Sequence, residues 1–252
     1  MKPVQNTRGS VVALCAMALF ASAANAGAQD TAPVRPYVQI AGLFQPAATA
    51  HESHTFPIYV ENGSYSVAYR LPSAPALEVS TGMAFRRHFG WSVAFSGVWS
   101  KSSASTAETV PHPFFFNQPL TANGAVSGLS RREAAIHADA LVGVPLARTL
   151  ALDLFGGPTF LFVTQSVVTP EYAEAYPYDS IEAISPARHD QGRSGIGFNA
   201  GADLSVRVAS RIGVDVVARY VHGSVSLSTA DGAQFSMRDA AVRVGAGVRI
   251  RF

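Results

Sequence analysis

The sequence is nearly without cysteine and lysine and poor in charge of either sign. Cys15 is its one cysteine, lysine stands only at Lys2 and Lys101, and charged residues make up 14% of the 252 positions. Soluble domains carry roughly 25% charge, so 14% beside 48% hydrophobic residues argues against an ordinary cytosolic enzyme. Disorder needs the opposite composition, low hydrophobicity with high net charge. A formal net charge of +2 leaves no basic footprint for nucleic acid. The body of the chain also lacks any apolar run of the roughly 18–20 residues that a membrane helix requires. What is left is a chain too apolar for water and without spanning helices.

The first residues read as an address. Lys2 and Arg8 are basic, Val11 to Ala21 is apolar, and Ala24-Asn25-Ala26 puts small residues where a signal peptidase cuts. This is the three-part pattern of a secretory signal peptide over 1–26, followed by a short segment 27–34 and a body over 35–252. Cys15 is followed by further apolar residues, which does not suit a lipoprotein acceptor. Cleavage after Ala26 removes Cys15, and with it any disulfide, thiolate metal site or cysteine nucleophile. Loss of Lys2 and Arg8 takes the 19 basic residues to 17, equal to the 17 acidic ones.

The body alternates with period two, which puts successive side chains on opposite faces of a strand. Eight segments show it: 37–44, 76–86, 91–100, 133–144, 150–163, 195–208, 212–222 and 238–252. In the last, Ala240, Val242, Val244, Ala246, Val248, Ile250 and Phe252 form one face, and Asp239, Arg243, Arg249 and Arg251 lie on the other. The connections read as short at 87–90, 145–148 and 209–211, long at 45–75, 101–132 and 164–194, and intermediate at 223–237. Short turns alternating with long loops mark an up-and-down barrel with one end in the periplasm.

A soluble barrel would turn the apolar face inward. Three features predict the reverse. The polar face is rich in Gly, Ala and Ser, which suits the filled interior of a narrow barrel. Aromatic residues collect near the ends of the apolar faces, Phe85, Trp91 and Phe252 at the turn end and Phe44, Trp99, Phe160, Phe162 and Tyr220 at the other, as in two interfacial girdles. Most segments have the roughly 10 residues that a tilted spanning strand needs. The expected fold is all-β: an eight-stranded antiparallel up-and-down transmembrane β-barrel. Its inward charges require partners, and the expected lumen network comprises Glu78, Arg86, Glu133, Asp139, Asp153, Asp203, Arg207, Asp215, Arg219, Asp239, Arg243 and Arg249. Arginine's planar fork suits such confined pairs. The network reads as packing, or as a gate for small solutes.

With these strands the chain resembles the small outer-membrane barrels of Gram-negative bacteria, the OmpA transmembrane-domain and OmpX type, over 35–252. The terminal strand ending in Val248, Ile250 and Phe252 looks like that family's assembly signal, and Phe155-Gly156-Gly157-Pro158-Thr159-Phe160 resembles family strands. The resemblance implies export to the outer membrane and contact with its lipid and lipopolysaccharide. It also implies handling by the barrel-assembly machinery, and a monomer without cofactor. With the terminal strand at Phe252, no periplasmic peptidoglycan-binding domain is expected after the barrel.

Chemistry candidates are few. His222 and Ser224 share a strand face and resemble the His-x-Ser pair of lipid A deacylases, in which His is the base and Ser the nucleophile. The orienting acid that such a site needs is not evident; Asp231 and Asp239 are the nearest downstream acids, and Asp239 is in the inward register. The plainer reading is a polar residue at the headgroup boundary, and no enzyme is expected. His51, Glu52 and His54, with His112 and His189 elsewhere, do not make the three or four converging ligands of a metal site. The aromatic-rich stretches from Pro111 to Phe116 and from Glu171 to Tyr178 suit an extracellular ligand. The expectations for function are a non-enzymatic barrel acting structurally or through its loops, a narrow solute channel, or a lipid A-modifying enzyme.

Overall fold

The computed structural model describes residues 35–58, 60–85, 88–174, 176–184, 186–228 and 234–252, with the side chains of Arg35 and 234–239 excepted. The expected signal peptide, the segment 27–34 and Arg86 lie outside the described residues, as does the side chain of Asp239.

Twelve strands are described. They are β1 (Arg35–Gln45), β2 (Ala48–Ile58), β3 (Glu61–Leu71), β4 (Ala74–Phe85), β5 (Phe89–Pro111), β6 (Pro119–Pro145), β7 (Leu150–Thr169), β8 (Tyr172–Glu174), β9 (Ile181–Ala183), β10 (Ala187–Arg207), β11 (Ile212–Ser228) and β12 (Gln234–Arg251). Eight of them form an antiparallel ring in the order β1, β4, β5, β6, β7, β10, β11, β12. β12 returns to β1, with Val38 opposite Ile250 and Phe44 opposite Val244. The fold is the expected eight-stranded up-and-down barrel, and all eight alternating segments lie on ring strands.

The long connections differ from the expectation. Residues 45–75, 101–132 and 164–194 are largely strand, and β5 and β6 run for 23 and 27 residues. At about 3.3 Å per residue and a tilt near 40°, such strands rise about 60–70 Å, well beyond the ~25 Å of an apolar membrane band. The hairpin of β2 and β3 continues that of β1 and β4 in the same register, with Gln45 opposite Ala74 and Ala48 opposite Leu71. Pro46 and Pro72 fall in the gap between them, where a residue without N–H interrupts the ladder. These extensions escaped the sequence reading because their inner face is uneven: Tyr65, Val67, Tyr69 and Leu71 make an apolar stripe on β3, but Glu52 on β2 and Thr106 and Glu108 on β5 interrupt it. Ser, Thr and Asn are common at the outer positions.

The wall changes polarity along its height. On β5, Trp91, Val93, Phe95 and Trp99 face outward and are exposed, whereas Ser92, Ala94 and Ser96 are buried in the lumen. Above Trp99 the outward residues become Lys101, Ser105 and Ala107, while Ala104 and Val110 are buried inside. On β11, Val214, Val216 and Tyr220 point out against buried Asp215 and Arg219. Higher up, Ser224 and Ser226 point out against buried Val225 and Leu227. The expected girdle residues Phe44, Phe85, Phe160, Phe162 and Phe252 are likewise exposed. An exposed apolar belt of this extent is a surface for hydrocarbon. Above it the barrel reverts to the arrangement of a water-soluble sheet.

The change is marked by a β-bulge. The register of β5 on β6 shifts between Ser102 and Ser103, leaving Gly128 as the extra residue. Its φ of 75° is one that glycine adopts freely. Lower down, Gly157 is held by a close approach: a Cβ there would lie 1.9 Å from the carbonyl oxygen of Ala138. Pro158 beside it cannot donate to the ladder, and the pairing of β6 with β7 skips this point.

G157A is expected to cost about 1–3 kcal/mol of stability, the usual range for overpacking. G156A should cost less, because its new Cβ would meet the Asn199 carbonyl oxygen at 3.1 Å. Urea unfolding in detergent micelles, followed by circular dichroism, reads both.

Candidate functional site: the filled lumen and the aromatic apex

The inward residues of the belt region form one connected polar core. Glu78 comes from β4, Arg131, Glu133 and Asp139 from β6, Asp153 from β7, Asp203 from β10, Asp215 and Arg219 from β11, and Arg243 and Arg249 from β12. All are buried except Asp153, which is partly buried. Sequence reasoning placed these carboxylates and Arg219, Arg243 and Arg249 in the lumen, and the fold brings them together in three layers.

Nearest the turns, Arg249 binds Asp203, Asp153 at 2.6 Å and Asp215 at 3.3 Å. Its guanidinium lies 4.3 Å from the centroid of the Tyr37 ring, a favourable cation–π placement. Gln39 donates to Asp203 at 2.7 Å and accepts from Ser80 at 2.9 Å. In the middle layer, Arg219 makes a bidentate pair with Glu78, both bonds 3.0 Å, and reaches Asp139 at 3.0 Å. Asn199 accepts from Arg219 and donates to Asp139 at 2.8 Å, so the amide bridges both partners. The Phe155 ring closes this layer, with its centroid 4.4 Å from Arg219. In the third layer Arg243 pairs with Glu133, and donates to Ser96 at 3.0 Å and Gln45 at 2.9 Å. Arg131 joins the same Glu133 at 3.3 Å and donates to Gln165 at 2.6 Å. His137 links the layers, with ring nitrogens 3.0 Å from Ser96 Oγ and 2.9 Å from Thr159 Oγ1.

Between the first two layers remains a cavity of about 10 Å³, bounded by Arg249, Arg219, Glu78 and Asp203. It has room for a single water.

One expected member departs from this set. Arg207 is exposed at the turn end rather than in the lumen. β10 ends at that residue, past the last inward layer. Arg251 is only partly buried and donates to Ser205 at 2.9 Å. The sequence reading missed Arg131, which fell in a stretch taken as loop, and the neutral members Gln45, Ser96, Thr159, Gln165 and Asn199. Their signal was present: each sits in the inward register of its strand.

Above the ionic layers an apolar plug closes the mouth. Val67 and Tyr69 of β3 pack with Leu161, Val163, Val167 and Val168 of β7 and with Val221, Val225 and Leu227 of β11. The Val168 N–H donates to the Tyr69 hydroxyl oxygen at 3.2 Å, tying β7 to β3 across the opening. Burial pushes the Tyr69 hydroxyl well above its ordinary range, so it stays protonated and donates to Glu52 at 3.4 Å.

The aromatic stretches meet at the apex. Phe114, Phe115, Phe116 and Tyr176 are exposed. The Phe114 and Tyr178 rings stand edge-on with centroids 5.6 Å apart, and His112 lies 4.8 Å from Phe115. His112, His51, His54 and His189 do not converge, and no metal-binding cluster occurs among the described residues.

His222 and Ser224 face outward. His222 packs 5.2 Å from Phe198, and its Nδ1 is 3.3 Å from the Tyr220 hydroxyl. The expected assembly-signal residues Val248, Ile250 and Phe252 also face outward at the closing seam, where the Phe252 N–H donates to the Pro36 carbonyl at 3.0 Å.

No protein-family model and no curated protein matches the chain. Among solved structures, it is similar to Neisserial surface protein A, with 13% identity over 86% of this chain and 97% of that one, at a TM-score of 0.47. OprG from Pseudomonas aeruginosa gives 8% identity over 86% and 95%, with a TM-score of 0.47. The outer membrane protease OmpT from Escherichia coli gives 7% over 89% and 99%, also with a TM-score of 0.47. No task passes to this chain from structures at such identity.

R219M is expected to leave Glu78 and Asp139 buried without their cation and to cost about 3–5 kcal/mol. Adding E78Q and D139N should recover a large part of the loss. Urea midpoints of the three proteins in micelles measure it, and equal midpoints for wild type and R219M would remove the network from any structural role.

Proposed function

We propose that the chain is an integral outer-membrane barrel of Gram-negative bacteria whose task is structural or is exercised by its extracellular hairpins, without catalysis. One observation carries the reading: the apolar belt faces outward around a lumen filled by paired Arg and carboxylate side chains. Such a wall is suited to hydrocarbon, and such an interior holds the wall apart without offering a passage. Ring closure also supports a monomer, since no edge of the ring is left for a second copy.

The channel reading requires a continuous water path, and the Arg249, Arg219 and Arg243 layers stand across it. The lipid A-modifying reading requires an acid to orient His222, whose recorded polar partner is the neutral Tyr220 hydroxyl. The apex supports the interaction reading. Its exposed rings sit on paired hairpins that hold them far above the belt, where a rigid scaffold presents them to a ligand.

Three measurements test this. In planar bilayers the purified protein should give no steady single-channel steps, and reproducible steps would favour the channel. In cells, S224A and wild type should yield the same lipid A by mass spectrometry, whereas a difference in acylation would favour the enzyme. Deleting 171–184 should leave the barrel folded and abolish adhesion of protein-coated beads to target cells; unchanged adhesion would discard the interaction role.

A further inference from the structure

Resting on the membrane reading above, we infer that the wall formed by β3, β5 and β6 carries a binding site for one anionic lipid, held through phosphate at its headgroup. Three cations lie side by side on the outer surface where the belt ends. Trp99 is opposite Arg132, Lys101 opposite Ser130, and Ser103 opposite Arg70. All three cations are exposed and outward, because their strand neighbours Tyr69, Leu71, Ser102, Arg131 and Glu133 are buried. On one sheet face such diagonal neighbours are about 7–8 Å apart, so a single headgroup can touch more than one of them. Among the described residues none of the three has a carboxylate partner.

Trp99 sets their height. Its ring lies over Gly97, where an added Cβ would meet it at 2.7 Å. The indole therefore leans back toward the belt, as an interfacial tryptophan does; Arg132 stands level with it across the ladder, and Lys101 is one outward position above it. This is the level of lipid phosphates. The outward residues following the belt on β7, β10 and β11 are Thr164, Ser194 and Ser224, all uncharged, and the exposed Arg193 beside Ser194 stands alone on its strand there. Three together at a headgroup level form a complement to phosphate, and the adjoining apolar wall takes the acyl chains. Lysine occurs at only one place in the barrel, and it is here.

The test uses the folded protein in neutral detergent and native mass spectrometry with three probes: lipid A, phosphatidylcholine and inorganic pyrophosphate. Wild type should retain one lipid A, with neither phosphatidylcholine nor pyrophosphate competing. Each charge removed should weaken retention about fivefold, and R70Q/K101Q/R132Q on the order of a hundredfold. R70K/R132K should keep most of the binding, and R148Q/R211Q, at the opposite rim, all of it. Equal retention by the triple variant, or displacement by pyrophosphate, would overturn the site. Insertion of each protein into phosphatidylcholine vesicles separates the two readings. A wild type that inserts but shows no lipid preference loses only this site, whereas one that fails to insert loses the membrane reading as well.

Discussion

A wall immersed in hydrocarbon must leave no backbone N–H or C=O unpaired, since each would cost several kcal/mol. That constraint forces the ladder to close, and β12 returning to β1 is its consequence here. Closure with eight strands then leaves a bore that side chains alone can fill. The requirement for an apolar exterior and the requirement for a filled interior fall on alternate residues of the same strands. This is why period two governs the belt from end to end.

The fill is ionic, and pairing carries it. A buried ion pair adds little net stability over a well-packed apolar pair, but breaking one is costly. The lumen reflects this asymmetry. Arg249, Arg219 and Arg243 each meet at least one carboxylate, and neutral groups such as Gln39, Asn199 and Ser96 take up further hydrogen bonds. The layers cross the bore from β11 and β12 to β4, β6, β7 and β10, so they brace walls that the backbone ladder alone connects only around the circumference.

Above the belt the solvent changes and the same strands change with it. Where water meets the outer face, Ser and Lys replace Val and Trp, and inside, Val, Leu and Tyr predominate beside the buried Glu52 and Glu108. Val168 and Tyr69 then close the mouth from opposite walls. The strands of the membrane barrel continue upward as a sheet of soluble character, with the bulge at Gly128 near the transition. The hairpins so stiffened hold the aromatic apex clear of the headgroups.

Much of this was legible in residue order alone. Strand alternation in hydrocarbon is strict because a misplaced charge is costly, so the eight segments and their inward carboxylates could be read directly. The extensions could not, because above the belt polar residues such as Glu52, Thr106 and Glu108 interrupt the inner face and blur the period. Nor could the partner of each arginine. Glu78 and Arg219 are 141 residues apart, and only barrel register and stagger bring them face to face. Arg207 shows the same limit, since its register pointed inward but its strand ended first. The sequence by itself decided which face meets lipid, because side-chain alternation is a local property of the chain. The tertiary structure decided which charges meet and how far the walls rise, because those depend on closure between distant strands.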